Sequence, residues 1–287
     1  MFSKDKETRR KVLLTPNELR TMMDSASAPH ILVVQSVNPY TGQDSRQGLY
    51  IPNAVETEAY RDFQAPEDPR KGARPLPEVS DLQEAVRCWG LTHDRTIVVY
   101  DGDRSMTAAR AWWVLKWAGF KDVRVLDGGL PAWLSAGFET AQSAAKPPKT
   151  TTSITPGHMP EFGPENAEQL AQNGVLLDAR IRPNYIGGPQ VGGDPKRGHI
   201  PGAICAPTHD TLTDPGAFTD SETLIELFIG LGVDGTKPVG VYCGAGMSAA
   251  HEVLALAAVG IEAAMYPGSW SHWINDPQRP VRRGAQP

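Results

Sequence analysis

Residues 238–250, PVGVYCGAGMSAA, and residues 97–109, IVVYDGDRSMTAA, are two versions of one pattern. Each opens with a short apolar run, passes through a glycine-containing turn and enters a small-residue stretch. The continuations, AARAWWVLKWAG from 108 and SAAHEVLALAAVG from 248, carry apolar residues at helical spacing and end on glycine. Both stretches therefore predict strand, turn, helix. Further matches flank them in the same order. YIPNAV at 50–55 answers HIPGAI at 199–204, and LDGGLPAW at 126–133 answers MYPGSWSHW at 265–273. An ordered set of matches of this kind reads as an internal duplication.

Strands alternating with helices in each copy predict a parallel α/β sheet flanked by helices. The expected division is a first domain over 11–140, an extended linker over 141–160 and a second domain over 161–287. The linker reading rests on AQSAAKPPKTTTSITPGHMP, which lacks periodicity. In open sheets of this class, ligands bind beyond the C-terminal strand ends. Cys243 stands at such an end, and Asp101 takes its place in the first copy.

The chain has 287 residues, which at roughly 100–200 per domain suits two domains. Its net charge is −5 and no basic run stands out, so nucleic acid is not an expected partner. No apolar run suits a signal or a membrane span, and the cytoplasm is the expected location. Cys88, Cys205 and Cys243 are widely spaced, which argues for free thiols and against a zinc site.

The segment Cys243-Gly244-Ala245-Gly246-Met247-Ser248 predicts a tight loop feeding a helix N-terminus. Glycines permit inward-turned N–H groups, and the helix end adds free donors and partial positive charge. Both favour thiolate over thiol. The competing reading is a strand-end cysteine packed inertly under a helix.

Residues 176–204, LLDARIRPNYIGG followed by KRGHIPGAI, resemble the opening of a rhodanese catalytic domain. VYCGAGMSAA resembles its six-residue loop and YPGSWSHW its closing element. VVYDGD followed by AARAWWVLKWAGFKDVRVLDGGLPAW resembles the inactive first domain of tandem sulfurtransferases. The resemblance spans most of 11–282. It implies two rhodanese-like folds, with Cys243 taking sulfane sulfur from a small donor and passing it to a thiol, cyanide or a thioredoxin-like protein. It implies no metal and no organic cofactor.

The family's thiosulfate enzymes resemble Cys-Arg-Lys-Gly-Val-Thr in this loop, and its mercaptopyruvate enzymes Cys-Gly-Ser-Gly-Val-Thr. Gly244 and Gly246 agree with the second, while Ala245 lacks its hydroxyl; Met247 and Ser248 replace Val and Thr. The resemblance puts Tyr50 where the family has a histidine, and Asn184 where it has a substrate-binding arginine. Arg182, Lys196 and Arg197 lie close enough in sequence to supply an anion contact. Asp178 and Arg180 read as site supports or as a structural ion pair, and His199 as a loop-fixing residue. Trp270 and Trp273 either line the pocket mouth or pack. Cys88 and Cys205 read as inert, with oxidative pairing of Cys205 and Cys243 a remote alternative.

Two other classes of function compete. A phosphatase or arsenate reductase on this fold resembles Cys-x5-Arg, but the sixth residue after Cys243 is Ala249, which cannot clamp an oxyanion. A non-catalytic or persulfide-sensing module is the remaining alternative, motivated by the altered positions at Tyr50, Asn184 and Ala245.

Overall fold

The computed structural model describes residues 1–36, 48–188 and 197–287. Five strands form a wholly parallel first sheet: β1 (Leu13–Leu14), β2 (His30–Gln35), β3 (Ala54–Glu58), β4 (Ile97–Tyr100) and β5 (Val123–Leu126), in the order β1-β5-β4-β2-β3. Four form a second parallel sheet: β6 (Val175–Asp178), β7 (Ile204–Cys205), β8 (Val239–Tyr242) and β9 (Ala264–Met265), in the order β7-β6-β8-β9. Every residue of β4, β6 and β8 is buried, as expected when helices cover both sheet faces.

The duplication extends to single hydrogen bonds. The Tyr100 hydroxyl accepts from Ile51 N and that of Tyr242 from Ile200 N, both at 3.0 Å. The Trp133 indole donates to Glu139 O and the Trp273 indole to Pro280 O, both at 2.9 Å. The Asp101 carbonyl accepts from Leu130 N and the Cys243 carbonyl from Trp270 N, again at 2.9 Å. Trp273 is thereby a packing residue.

Segment 141–160 contains no helix or strand. It lies along the first half. Thr150 and Thr152 donate their hydroxyls to Leu91 O, and Ile154 N donates to the side chain of Gln83. The first ten residues reach the second half: Ser3 N donates to Val259 O, and the Arg9 guanidinium to the carbonyls of Phe218 and Thr219.

Helices Met106–Trp117 and Met247–Ala258 pack against each other between the sheets. The sequence pattern predicts one apolar face on each, but both are buried almost all round. Alanines 108, 109, 111, 249, 250 and 255 let the backbones approach, and each helix also covers its own sheet. Cys205 lies across β6 from β8. Two strand spacings of roughly 4.8 Å keep it too far from Cys243 for a disulfide. Burial pushes its thiol up to about 11. Cys88 is exposed, with its thiol against Glu84.

Glu252 lies within this helix pair, 1% exposed, and neither carboxylate oxygen has a hydrogen-bond partner among the described residues. Burial, aided by Asp210, pushes its carboxyl up to about 8. The folded state thus holds a proton that the unfolded chain releases in the ordinary carboxylate range. Stability falls as pH rises through that window, at most about 1.4 kcal/mol per unit. His251, pushed down to about 4 by burial, opposes this only below its ordinary value of 6.5. Glu252→Gln is therefore expected to raise the Tm relative to the parent, by a margin that widens between pH 4.5 and about 8, His251 being common to both proteins. Thermal melts of both proteins across pH 5–9 check this; a margin independent of pH contradicts it.

Candidate functional site

β8 ends at Tyr242, and the next residue, Cys243, is 2% exposed. Its Sγ accepts from Gly246 N at 3.1 Å, and the Ser269 hydroxyl lies 3.9 Å from it. That hydroxyl also donates to Tyr266 O and accepts from Cys243 N, so it braces the strand end from the facing turn. Gly246 caps helix Met247–Ala258 with a left-handed φ of 82° and no side-chain cap. The first-turn amides behind it, including Ser248 N and Ala249 N, have no intrahelical acceptor by construction.

The first half shows what such a corner holds. Asp101 Oδ1 accepts from Asp103 N and Ser105 N, both at 3.0 Å. Its Oδ2 accepts from Thr107 N and Ala108 N, both at 2.9 Å, and from the Thr107 hydroxyl at 3.0 Å. Ser105 caps its helix with a left-handed φ of 63°, in the role of Gly246. The first-half loop, one residue longer, wraps a buried carboxylate in backbone N–H groups. Thr107 and Ala108 correspond to Ser248 and Ala249.

Of the loop glycines, only Gly246 is required by its backbone. A Cβ there would lie 2.7 Å from Pro267 O and 2.9 Å from Arg110 Nη1, whereas one on Gly244 would meet nothing. The left-handed region costs roughly 1–2 kcal/mol for a residue with a side chain.

A cavity of about 390 Å³ opens over Cys243 and the five residues Gly244, Ala245, Met247, Ser248 and Trp270. Three guanidinium-bearing residues, Arg74, Arg180 and Arg197, line it, and among the described residues no Asp or Glu does. Arg180 is held by Asp178 through Nε at 2.9 Å and Nη2 at 2.6 Å, donates to Gly198 O, and sits 4.4 Å over the Trp270 ring. Burial opposes its charge, but Asp178 outweighs burial and raises its pKa. Asp178 and Arg180 are thus an ion pair whose cation faces the cavity.

Asn184 and Arg197 line the cavity. Arg182 does not: it is exposed on the outer side of the short helix Arg182–Ile186, because Asn184 and Tyr185 take the inner side of that turn. Lys196 lies outside the described residues. His199 is fully buried away from the cavity, stacked 3.8 Å from Tyr185, with its ring nitrogens facing the carbonyls of Tyr185 and Gln286.

Tyr50, the counterpart of His199, is equally remote. It bridges Ala141 and donates its hydroxyl to Glu56, because Tyr100 pins that turn beside the first sheet. The first half reaches the cavity instead through Ala73 and Arg74. Ala73 N donates to the Ser271 hydroxyl at 2.9 Å, and a Cβ on Gly72 would collide with Gly268 O. A lone arginine in the irregular stretch KGARPLP carries no local signal, so sequence reasoning missed it. Ser269, Ser271 and Arg110 were missed although they lie in quoted motifs, because their contacts are to residues distant in sequence.

Among the described residues no cluster of His, Cys, Asp and Glu is arranged to hold a metal ion, and no helix is long and apolar enough to cross a membrane. Gly246→Ala is expected to cost at least about 2 kcal/mol and lower the Tm by several degrees, because strain and the Pro267 contact add. Gly244→Ala is expected within about 0.5 kcal/mol of the parent. Thermal denaturation of the pair measures both.

The rhodanese-like domain family matches this chain twice, over residues 15–136 and 164–276. A putative thiosulfate sulfurtransferase, SseB, of Mycobacterium tuberculosis is 40% identical over 283 residues, covering 97% of this chain and 99% of the relative. A probable 3-mercaptopyruvate sulfurtransferase of Pseudomonas aeruginosa is 38% identical, covering 95% and 98%. The solved structure of the 3-mercaptopyruvate sulfotransferase SseA from Escherichia coli superposes with a TM-score of 0.74 at 26% identity, covering 90% of this chain and 98% of that one. With both halves matched and relatives aligned over nearly their whole length, the chain belongs to the rhodanese-like family and is a tandem-domain sulfurtransferase.

Proposed function

We infer that Cys243 is the nucleophile, and that it carries sulfane sulfur as a persulfide from an anionic donor to a thiophilic acceptor. The observation that carries this reading is the Asp101 carboxylate, wrapped by four backbone N–H groups at the equivalent corner of the first half. A corner built this way favours an anion. Where the carboxylate is replaced by a thiol, the anion is the thiolate. After sulfur transfer it is the terminal sulfur of the persulfide, which extends about as far from the backbone as a carboxylate oxygen. Ser248 N and Ala249 N are then its donors, by correspondence with Thr107 N and Ala108 N.

The donor is 3-mercaptopyruvate or thiosulfate, as for the relatives. Both are anions, and Arg74, Arg180 and Arg197 give the cavity wall an excess of positive charge. With thiosulfate, the thiolate attacks the outer sulfur, the S–S bond breaks, and sulfite leaves with the electron pair. With 3-mercaptopyruvate, the C–S bond breaks and pyruvate leaves as its enolate, which takes up a proton. A thiol, cyanide or thioredoxin-like thiolate next attacks the terminal sulfur and returns Cys243 as thiolate. The absence of a cation at Gly244 and Ala245 does not bar thiosulfate, because the cations arrive from other segments. Arg197 and Asn184 are the proposed anion contacts, with Arg74 the contribution of the first half.

Intact-mass analysis after incubation with each donor tests the reading. The expected result is a gain of one sulfur atom on Cys243, lost on adding cyanide. Cys243→Ser should show neither the gain nor turnover, and full activity in that variant would refute the assignment. A gain of sulfur without turnover would instead mark a persulfide-sensing module. Arg74→Met and Arg197→Met are each expected to raise KM for the anionic donor about tenfold, with a smaller change in kcat. Steady-state kinetics with both donors measures this.

A further inference from the structure

Arg110 belongs to the half that carries Asp101 in place of the corner cysteine, yet its side chain ends at the loop of the other half. It projects from helix Met106–Trp117 and is 1% exposed. Nε donates to Phe63 O at 3.2 Å, and Nη2 to Arg74 O and Pro75 O, both at 3.3 Å. Nη1 is buried with no hydrogen-bond partner among the described residues, and it lies against Gly246, where a Cβ would stand 2.9 Å from it. Gly246 is the residue whose amide donates to Cys243 Sγ.

A buried guanidinium without a carboxylate is expensive, and the cost falls only if an anion shares its surroundings. Among the described residues Arg110 joins no carboxylate. Burial, and secondarily Arg74, weaken its hold on the proton, bringing it down to about 10; the group that acts in the opposite direction is Cys243. Arg110 therefore remains charged at neutral pH, beside the one sulfur atom able to answer it. Its Nη2 meanwhile fixes the backbone of Arg74, which lines the cavity, and of Pro75 after it.

We propose that Arg110 is a positioning residue contributed across the domain interface: it is the buried counter-cation of the Cys243 sulfur, and it sets the place of the Arg74 segment that meets the donor. This rests on the reading of Cys243 as nucleophile, and it gives the half with Asp101 at its corner a defined part in the reaction. The cation acts through space and through Gly246, a single residue's backbone from the sulfur. An opposite charge within about 4–6 Å shifts an ionisation by about one to three pH units.

The test is the pH dependence of Cys243 alkylation by iodoacetamide, followed on the Cys243 peptide by mass so that Cys88 and Cys205 do not interfere. It is run on the full chain and on Arg110→Met, Arg110→Gln and Arg110→Lys. In the neutral variants the midpoint should move up by about one unit or more, slowing alkylation at pH 7 roughly tenfold. Arg110→Lys restores the charge without the three-carbonyl fork, so its midpoint should stay near the parent's while KM for thiosulfate or 3-mercaptopyruvate rises more than kcat falls. A folded neutral variant with the parent's midpoint overturns the proposal. So does a lysine variant displaced by as much as a full unit, which decides the matter if neither neutral variant folds. Alkylation requires no sulfur donor. Failure of the parent to take up sulfur would therefore count against the proposed function, and an unmoved midpoint would count against Arg110 alone.

Discussion

A buried acceptor held by backbone N–H groups at the corner between a strand and a helix is the interaction that both halves share. In the first half that acceptor is an anion: the Asp101 carboxylate satisfies the amides of Asp103, Ser105, Thr107 and Ala108. In the second half the same place is taken by Cys243, whose sulfur receives the Gly246 amide. Free N–H groups at a buried helix start must find an acceptor. One half meets that requirement permanently with a side chain. The other leaves it to a group that can change its chemistry, which is the basis for assigning the nucleophile there.

The remaining structure serves to keep that corner rigid and positively surrounded. Ser269 braces the strand end from the facing turn, and Trp270 covers Arg180, which Asp178 holds. The two all-buried helices bring the halves together closely enough for Arg110 to reach Gly246 and for Ala73 to hydrogen-bond Ser271. The cavity is thus walled by both halves. A sheet-and-helix unit alone would supply the thiol and the amides, but not the cation of Arg74.

Much of this was legible in the sequence because the signals are local. The pairs YIPNAV and HIPGAI, or LDGGLPAW and MYPGSWSHW, recur with the same hydrogen bonds, since each motif carries its own turn and anchor. The Asp178–Arg180 pair and the burial of His199 also follow from residues near one another in the chain. Tyr50 and Arg182 misled for the opposite reason. Nearness in sequence to a motif does not fix which side of a turn a side chain takes: Arg182 faces solvent while Asn184, two residues on, faces the cavity. The apolar helices showed their core-facing residues but not that both would be enclosed on every side, which depends on a partner.

The sequence by itself determined the duplicated α/β architecture, the strand-to-helix corner and the exchange of aspartate for cysteine at that corner. These depend on backbone sterics and hydrophobic periodicity, which act over a few residues. Only the tertiary structure decided which charges surround the sulfur. Arg74 and Arg110 arrive from segments separated from Cys243 by more than a hundred residues, and electrostatic influence follows distance in space, with no counterpart in distance along the chain.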